Sequence, residues 1–415
     1  MSTDVVVVGG GPAGSASAIR LADAGLDVVV VDRARFPRDK TCGDGLTTAA
    51  LRLLEELGVD PATVPSWRPV RRAVLRGPTG RVVVLPLPDD GGQHAAVARR
   101  SELDAALVAR ARAAGATVLE GHEATGTRLA ADRAVVHVDG LGELHARYVI
   151  AADGMWSPTR RSLGLAAPGY RGDWHAFRQY VRDVSGPAAG DLVVSFEPDF
   201  LPGYFWSFPL GDGAVNVGFG IRRGGSHPVG GMGQLWSELL ARPHVRSLLG
   251  PGARPEGPQR AWPIPARIGD LPLSTGRVLF VGDAAAATDP MTGEGIGQAM
   301  ATGVWAAGSV LAAGPVAAGR AAARYERTVR RTLVPDHQLA SLLTRALRHR
   351  RGVRLALATV ALTPWTRRNF ARWLFEDYPR AVLLTPGRWS PGMLTGPGAY
   401  RDRSLGAADL RCSTS

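Results

Sequence analysis

Three glycines stand where a phosphate-binding turn needs them. In VVVVGGGPAG, Gly9, Gly11 and Gly14 form G-x-G-x-x-G between a β-branched run, Asp4 to Val8, and an alanine-rich helical stretch that opens on Pro12 and Ala13. Gly9 allows the tight turn, Gly11 admits a pyrophosphate to the backbone, and Gly14 brings helix against strand, while the helix N-terminus supplies oriented N–H groups. A second run, Val28 to Val31, ends in Asp32, eighteen residues past Gly14, where a carboxylate can bind ribose hydroxyls. The expected chemistry is dinucleotide binding, with nicotinamide and flavin both open at this point.

Other reactive side chains are few. Cys42 and Cys412 are the only cysteines, too few for a disulfide framework or an iron–sulfur cluster, and Lys40 is the only lysine. In GYFWSFPL, Tyr204, Trp206 and Phe208 alternate, so they share one strand face, either as a wall for an apolar ligand or as the core of a sheet. The nine histidines are scattered, with His337 and His349 read as surface residues, and neither a metal site nor a serine-hydrolase or kinase signature is present.

The elements that must position these groups are legible from periodicity. Strand, glycine turn, helix and strand open the chain as a βαβ unit; Thr47 to Leu57 reads as a helix, and Ala73 to Leu85 as a hairpin turned at GPTG. Ser101 to Ala114 reads as an amphipathic helix with Ser101 as N-cap, followed by strands at Val118, Val135 to Val138 and Tyr148 to Ala151 that return to the first sheet. From Gly169 to Pro265 alternating strands take over, the turn GDGA making the clearest hairpin; Arg277 to Val281 then resumes the first sheet and Gly297 to Ala313 continues as a helix. The tail from Ala321 is helical and arginine-rich. No stretch reads as the 18 or more uncharged apolar residues of a spanning helix, and no export signal precedes the first strand.

The opening fingerprint, ARRSELDAAL, AADGMWSPTRR and VGDAAAATDPMTGEGIGQA, in this order, resemble the flavoprotein hydroxylase and geranylgeranyl reductase superfamily over roughly the first 310 residues. RFPRDKTCGDGL and PGYFWSFP, the latter fitting a YxWxFP pattern, resemble the geranylgeranyl reductase branch in particular. The resemblance implies a Rossmann-like FAD-binding domain of the glutathione reductase type, interrupted by an antiparallel-sheet substrate domain and followed by a helical C-terminal region. FAD-binding parts are expected at 1–70, 96–168 and 269–320, substrate-domain parts at 71–95 and 169–268, and the helical region at 321–415.

It also implies roles. Arg100 of RxxLD contacts the flavin nucleotide, Asp153 and Gly154 form the DG motif, Asp283 binds the ribityl or ribose part, and Pro290, Gly293, Gly295 and Ile296 flank the isoalloxazine. Asp32 with Arg33, and Cys42 with Gly43 in a loop near the isoalloxazine, complete the cofactor set. Members of the branch use reduced FAD to saturate carbon–carbon double bonds of isoprenoid chains. An isolated alkene has no carbonyl to polarise it, so an acid in a dry pocket must protonate it. Cys42 is the candidate to donate that proton, gate the pocket or orient the alkene, the alternative being a thiol that only packs. Tyr204 and Trp206 would line the alkene channel as catalytic and substrate residues, with Phe208 beside them. Lys40 would meet a diphosphate, the flavin phosphates or solvent. Flavin halogenases carry a similar aromatic stretch but depend on a lysine well downstream of the glycine fingerprint, and none stands there. A monooxygenase or epoxidase and a non-enzymatic prenyl-lipid carrier are the competing readings.

Composition bounds the partners. The formal charge of +12 comes from 48 arginines and one lysine against 37 acids, scattered without a nucleic-acid motif, so nucleic acid is not an expected partner. GVRLALATVALTPW, Gly352 to Trp365, is apolar with arginines at its flanks, and either packs on the substrate domain or lies in a membrane interface. The expected setting is cytoplasmic, with membrane association open; the electron donor, whether NADPH, NADH or ferredoxin, is not written in the sequence.

Overall fold

The computed structural model describes residues 2–401, so Cys412 lies outside the described residues. Four consecutive valines, Val5 to Val8, are buried on both faces of the strand Ser2–Val8, as a central parallel strand requires. That strand lies between Val28–Asp32 and Gly142–Ala151, all parallel. Val278–Phe280 adds in parallel on one side and Thr117–Glu120 on the other. Three distant parts of the chain thus build one sheet, and the order reverses at Ser2–Val8, leaving a crevice at the strands' carboxyl ends.

A seven-stranded sheet stands over that crevice. Its order runs Arg254–Ile264, Trp174–Arg182, Ala214–Arg222, Tyr204–Gly211, Leu192–Ser195, Arg72–Arg76, Val82–Pro86. The Arg72–Arg76 and Val82–Pro86 hairpin therefore joins this sheet from far away in sequence, pairing in parallel with Leu192–Ser195.

The helix Pro12–Asp23 packs on Ile296–Ala313 at backbone contact distance. A Cβ at Gly303 would fall 2.2 Å from the Ala13 carbonyl oxygen, and one at Gly14 only 1.8 Å from that of Gly9. Ile296–Ala313 is itself 18 residues without a charge, contrary to the expectation that no stretch reaches spanning length. It is buried against Pro12–Asp23 and Ala318–Ala346 as a core helix.

Two further expectations change, and the tail segment read as packing or interfacial is found packed along one face. The amphipathic helix runs Arg100–Ala113, one residue earlier than read, and Ser101 is not its cap: the Asp44 carboxylate accepts the Arg100 N–H and Ser66 Oγ the Arg99 N–H. Long-range acceptors have replaced the local one. His337 is buried in the 29-residue helix Ala318–Ala346, its Nε2 3.0 Å from the Ala287 carbonyl, and burial pushes its pKa down. The helix Arg350–Val360 packs Val353, Leu357 and Val360 onto the hairpin residues Leu75, Val83 and Leu85. Its opposite face stays exposed.

Gly303→Val should separate the two packed helices, lowering the calorimetric unfolding midpoint by an amount equivalent to about 1–3 kcal/mol. An unchanged midpoint would show that this contact is dispensable.

Candidate functional site

Between the two sheets lies a cavity of about 500 Å³. Its floor is the glycine turn, where Gly9, Gly11, Pro12 and Ala13 face the space and Gly14 lies beneath them. Each glycine has its own reason. Gly9 has φ +104° and a Cβ there would meet the Ala152 carbonyl oxygen at 2.4 Å, so it serves the turn and the neighbouring strand. At Gly11 the nearest atom is Arg38 Nη2 at 3.5 Å, so the missing side chain leaves room for a ligand rather than for protein. Pro12–Asp23 begins there with no side-chain cap and no acid in its first turn, leaving N–H groups for an anion.

Asp32 reaches the cavity but also holds the turn, one oxygen accepting from Gly10 N at 2.7 Å and the other from Ala34 N at 2.8 Å. Arg33 sits at the rim, mostly exposed, 3.6 Å from Glu123. Asp153, Gly154 and Asp283 come to the cavity from the carboxyl ends of adjacent parallel strands. Asp153 accepts from Thr159 N at 2.9 Å, and its burial raises its pKa.

A second helix N-terminus faces the same space. Ile296–Ala313 starts at Gly295, its Gly297 N–H taken by Glu294 Oε1 at 2.6 Å, and Gly293, Gly295 and Ile296 line the wall. Pro290 does not: it is buried behind the wall, its carbonyl accepting from Thr344 Oγ1 at 3.4 Å. The Asp289 carboxylate shapes this loop by accepting from Met291 N and Thr292 N, and Tyr204 Oη donates to the Thr292 carbonyl.

The loop Arg38 to Gly43 and the aromatic strand make the remaining walls. Arg100 lines the cavity with its guanidinium bound by both Asp104 oxygens at 2.8 Å, and Arg38 bridges the same carboxylate at 2.9 Å. Lys40 lies over the Trp262 ring at 3.5 Å, and burial lowers its pKa to about 8. Cys42 faces the cavity beside Trp206, and burial raises its thiol, with Asp44 adding to the effect and Arg100 opposing it. The thiol therefore stays protonated at neutral pH.

Tyr204, Trp206 and Phe208 do form one aromatic face, with centroids 6.2 and 6.3 Å apart along it. Only the first two line the cavity. Phe208 packs under the cysteine loop, where a Cβ at Gly43 would meet it at 3.2 Å and one at Gly45 at 3.1 Å. It supports the site instead of facing a ligand. Across the hairpin, Gly218 pairs with Trp206 and makes room for the indole, since a Cβ there would lie 2.2 Å from Cζ2.

Sequence reasoning passed over Asp44, Asn216, Trp262 and Arg380. Asn216 had a signal, being a polar residue at an inward position of an otherwise apolar strand, VNVGFGI. Arg380 had none. It comes from the tail, fully buried, to bridge Asp289 at 3.2 Å and Glu376 at 3.1 Å.

Residues 2–325 match the FAD binding domain family. The chain is 37% identical over 328 residues to a menaquinone reductase of Mycobacterium tuberculosis, covering 74% of this chain and 76% of that one. It is 34% identical over 320 residues to a digeranylgeranylglycerophospholipid reductase of Methanopyrus kandleri, covering 73% and 75%. Among solved structures, a geranylgeranyl bacteriochlorophyll reductase-like protein from Thermoplasma acidophilum superposes with TM-score 0.77 over 94% of this chain and 99% of that one, at 23% identity. A myxobacterial chondrochloren halogenase superposes with TM-score 0.70 over 97% and 95%, at 21% identity. These two show a shared architecture, which by itself assigns no reaction.

The protein binds FAD, and its site fits the group: Gly11 leaves the cradle a Cβ would fill, and the uncapped N-terminus of Pro12–Asp23 faces the cavity. Gly11→Val should fold normally by far-UV circular dichroism, since a Cβ at that position touches no backbone, yet emerge without flavin absorbance. A variant that remains saturated with flavin would mean that the turn holds no pyrophosphate.

Proposed function

Since the chain belongs to the geranylgeranyl reductase family of FAD-dependent oxidoreductases, we propose that it reduces carbon–carbon double bonds in the isoprenoid chain of a lipid such as a polyprenyl quinone. The observation that carries this reading is the meeting of a protonated thiol, Cys42, with the aromatic pair Tyr204 and Trp206 on one wall of the cofactor cavity. Reduced FAD supplies the hydride when bound. The protein has to supply what a flavin cannot give an unpolarised alkene.

Tyr204 and Trp206 give the alkene an apolar surface whose ring faces stabilise developing positive charge. Burial of Tyr204 raises its own hydroxyl well above the usual phenol range, so at working pH it is a neutral hydrogen-bond donor to the Thr292 carbonyl. Cys42 delivers a proton to the carbon that receives no hydride. Arg100, Asp153, Asp283, Gly293, Gly295 and Ile296, all on the cavity wall, would hold the cofactor.

The exposed side of the tail suits access to such a substrate. From His337 to Phe375 there are eight arginines and no Asp or Glu. Of these arginines only Arg372 is bridged to a carboxylate among the described residues. Leu355, Leu362 and Trp365 stand 70%, 72% and 62% exposed among them, the pattern of an interfacial helix rather than of a solvated one. This face would rest on an anionic bilayer and let a long chain enter without crossing water.

Anaerobic reduction with dithionite followed by geranylgeranyl diphosphate or menaquinone should reoxidise the flavin and add two hydrogens per double bond to the product. Reoxidation only on admitting oxygen, with oxygen in the product, would establish a monooxygenase instead. Cys42→Ala should keep FAD and its spectrum while turnover falls about 100-fold or more; full activity would remove the thiol from the mechanism. In flotation with phosphatidylglycerol vesicles, Arg354→Gln should weaken binding about fivefold and Trp365→Glu should abolish it. Equal flotation of both variants with the parent would sink the bilayer contact.

A further inference from the structure

Beneath the cavity wall, a set of buried polar groups converges on Asp44. Its side chain is fully buried, and its backbone is held at φ +66° between two glycines. One carboxylate oxygen accepts from the Tyr180 hydroxyl and from Asn216 Nδ2, each at 2.8 Å. The other accepts the Arg100 backbone N–H at 3.3 Å, and the Asp44 N–H points at Cys42 Sγ, 3.4 Å away. Asn216, equally buried, gives its second amide proton to the Cys42 carbonyl at 2.8 Å and accepts from the Trp206 indole N–H at 3.1 Å. One amide thus ties together the thiol-bearing residue, the carboxylate and the aromatic wall, using both of its donors.

We propose that Asp44 and Asn216 are positioning residues of the reduction: Asn216 locks Cys42 to the Trp206 wall, and the Asp44 carboxylate opposes the Arg100 guanidinium so that Cys42 meets the substrate as a thiol. The proposal rests on the reading of Cys42 as proton donor and adds what keeps it in that state.

The charges around the thiol make the balance explicit. Arg100 approaches from the helix Arg100–Ala113, itself bound by Asp104, which Arg38 also bridges. Arg178, from Trp174–Arg182, stacks on the Tyr180 ring at 4.2 Å and pairs with Asp39. Lys40 lies on the thiol's own loop. Burial raises Asp44 to about 6, against the pull of Arg178, Tyr180 and Asn216, so it is charged at neutral pH. Its charge raises the thiol's pKa, and Arg100 lowers it. Without the carboxylate charge, Arg100 acts unopposed and the thiol ionises at lower pH.

The test uses the holoenzyme with Cys412→Ser, so that Cys42 is the single thiol. Its alkylation by iodoacetamide is followed against pH by mass spectrometry. Asp44→Asn should move the alkylation midpoint down, raise the rate at neutral pH severalfold, and shift the alkaline limb of the kcat profile to lower pH. A midpoint that stays or rises overturns the proposal. If Asp44→Asn does not fold, Asp44→Gly serves: glycine takes the φ of +66° without strain, and loss of the carboxylate should move the midpoint down in the same way, so a stationary midpoint again overturns it. Asn216→Leu should retain FAD while kcat falls about tenfold and KM rises; unchanged kinetics would show that the lock positions nothing. Turnover retained by Cys42→Ala would instead fault the proton-donor reading, and the alkylation midpoints would still report the action of Asp44.

Discussion

Everything at the site hangs on two helices touching backbone to backbone. Pro12–Asp23 and Ile296–Ala313 come from opposite ends of the fold's first unit, and only Gly14 and Gly303 allow them to close on the strand and on each other. Because they close, both N-termini face one cavity. The first end is uncapped and the second gives its Gly297 N–H to Glu294 Oε1 at 2.6 Å, and both aim a partial positive end at that cavity. A wider packing distance would leave two separate helix ends and no shared site.

Against this positive floor the molecule sets its buried carboxylates with care. Asp104 takes two arginines, Asp289 takes Arg380 and three donors of its own loop, and Asp32 is committed to two backbone N–H groups. Buried charges survive when paired and bonded in this way. Glu294, which among the described residues accepts only the Gly297 N–H, and Glu376, bridged by Arg380, are two whose pKa burial shifts upward. Burial and the neighbouring Glu376 raise Glu294 to about 8, so it keeps its proton at neutrality, while burial and Asp289 raise Glu376 against the pull of Arg380. Since Glu376 and Arg380 lie outside the matched FAD-binding segment, the tail is a working part of the loop that Tyr204 touches.

The parts written in the sequence were those governed by short-range rules. The glycine turn with Asp32, the GDGA hairpin and the alternation that puts Tyr204 and Trp206 on one face follow from backbone sterics and a two-residue period. Errors arose where a distant group replaced a local one. Ser101 lost its capping role to Asp44 and Ser66, His337 found a carbonyl inside the core, and Phe208 turned from ligand wall to support because the cysteine loop lies over it. The Asp44 to Asn216 contact spans 172 residues, and although Asn216 stands out as a polar residue in an apolar strand, no local rule names its partner.

A single lysine among 48 arginines has one more meaning. Guanidinium groups ignore acylating reagents, so apart from the chain's amino terminus the protein presents one amine to them. That amine sits on the cavity wall over Trp262, and burial has already lowered its pKa to about 8, which makes it nucleophilic under mild conditions. Nature has in effect installed a single-address label inside the pocket, and its shielding reports directly whether the pocket is full.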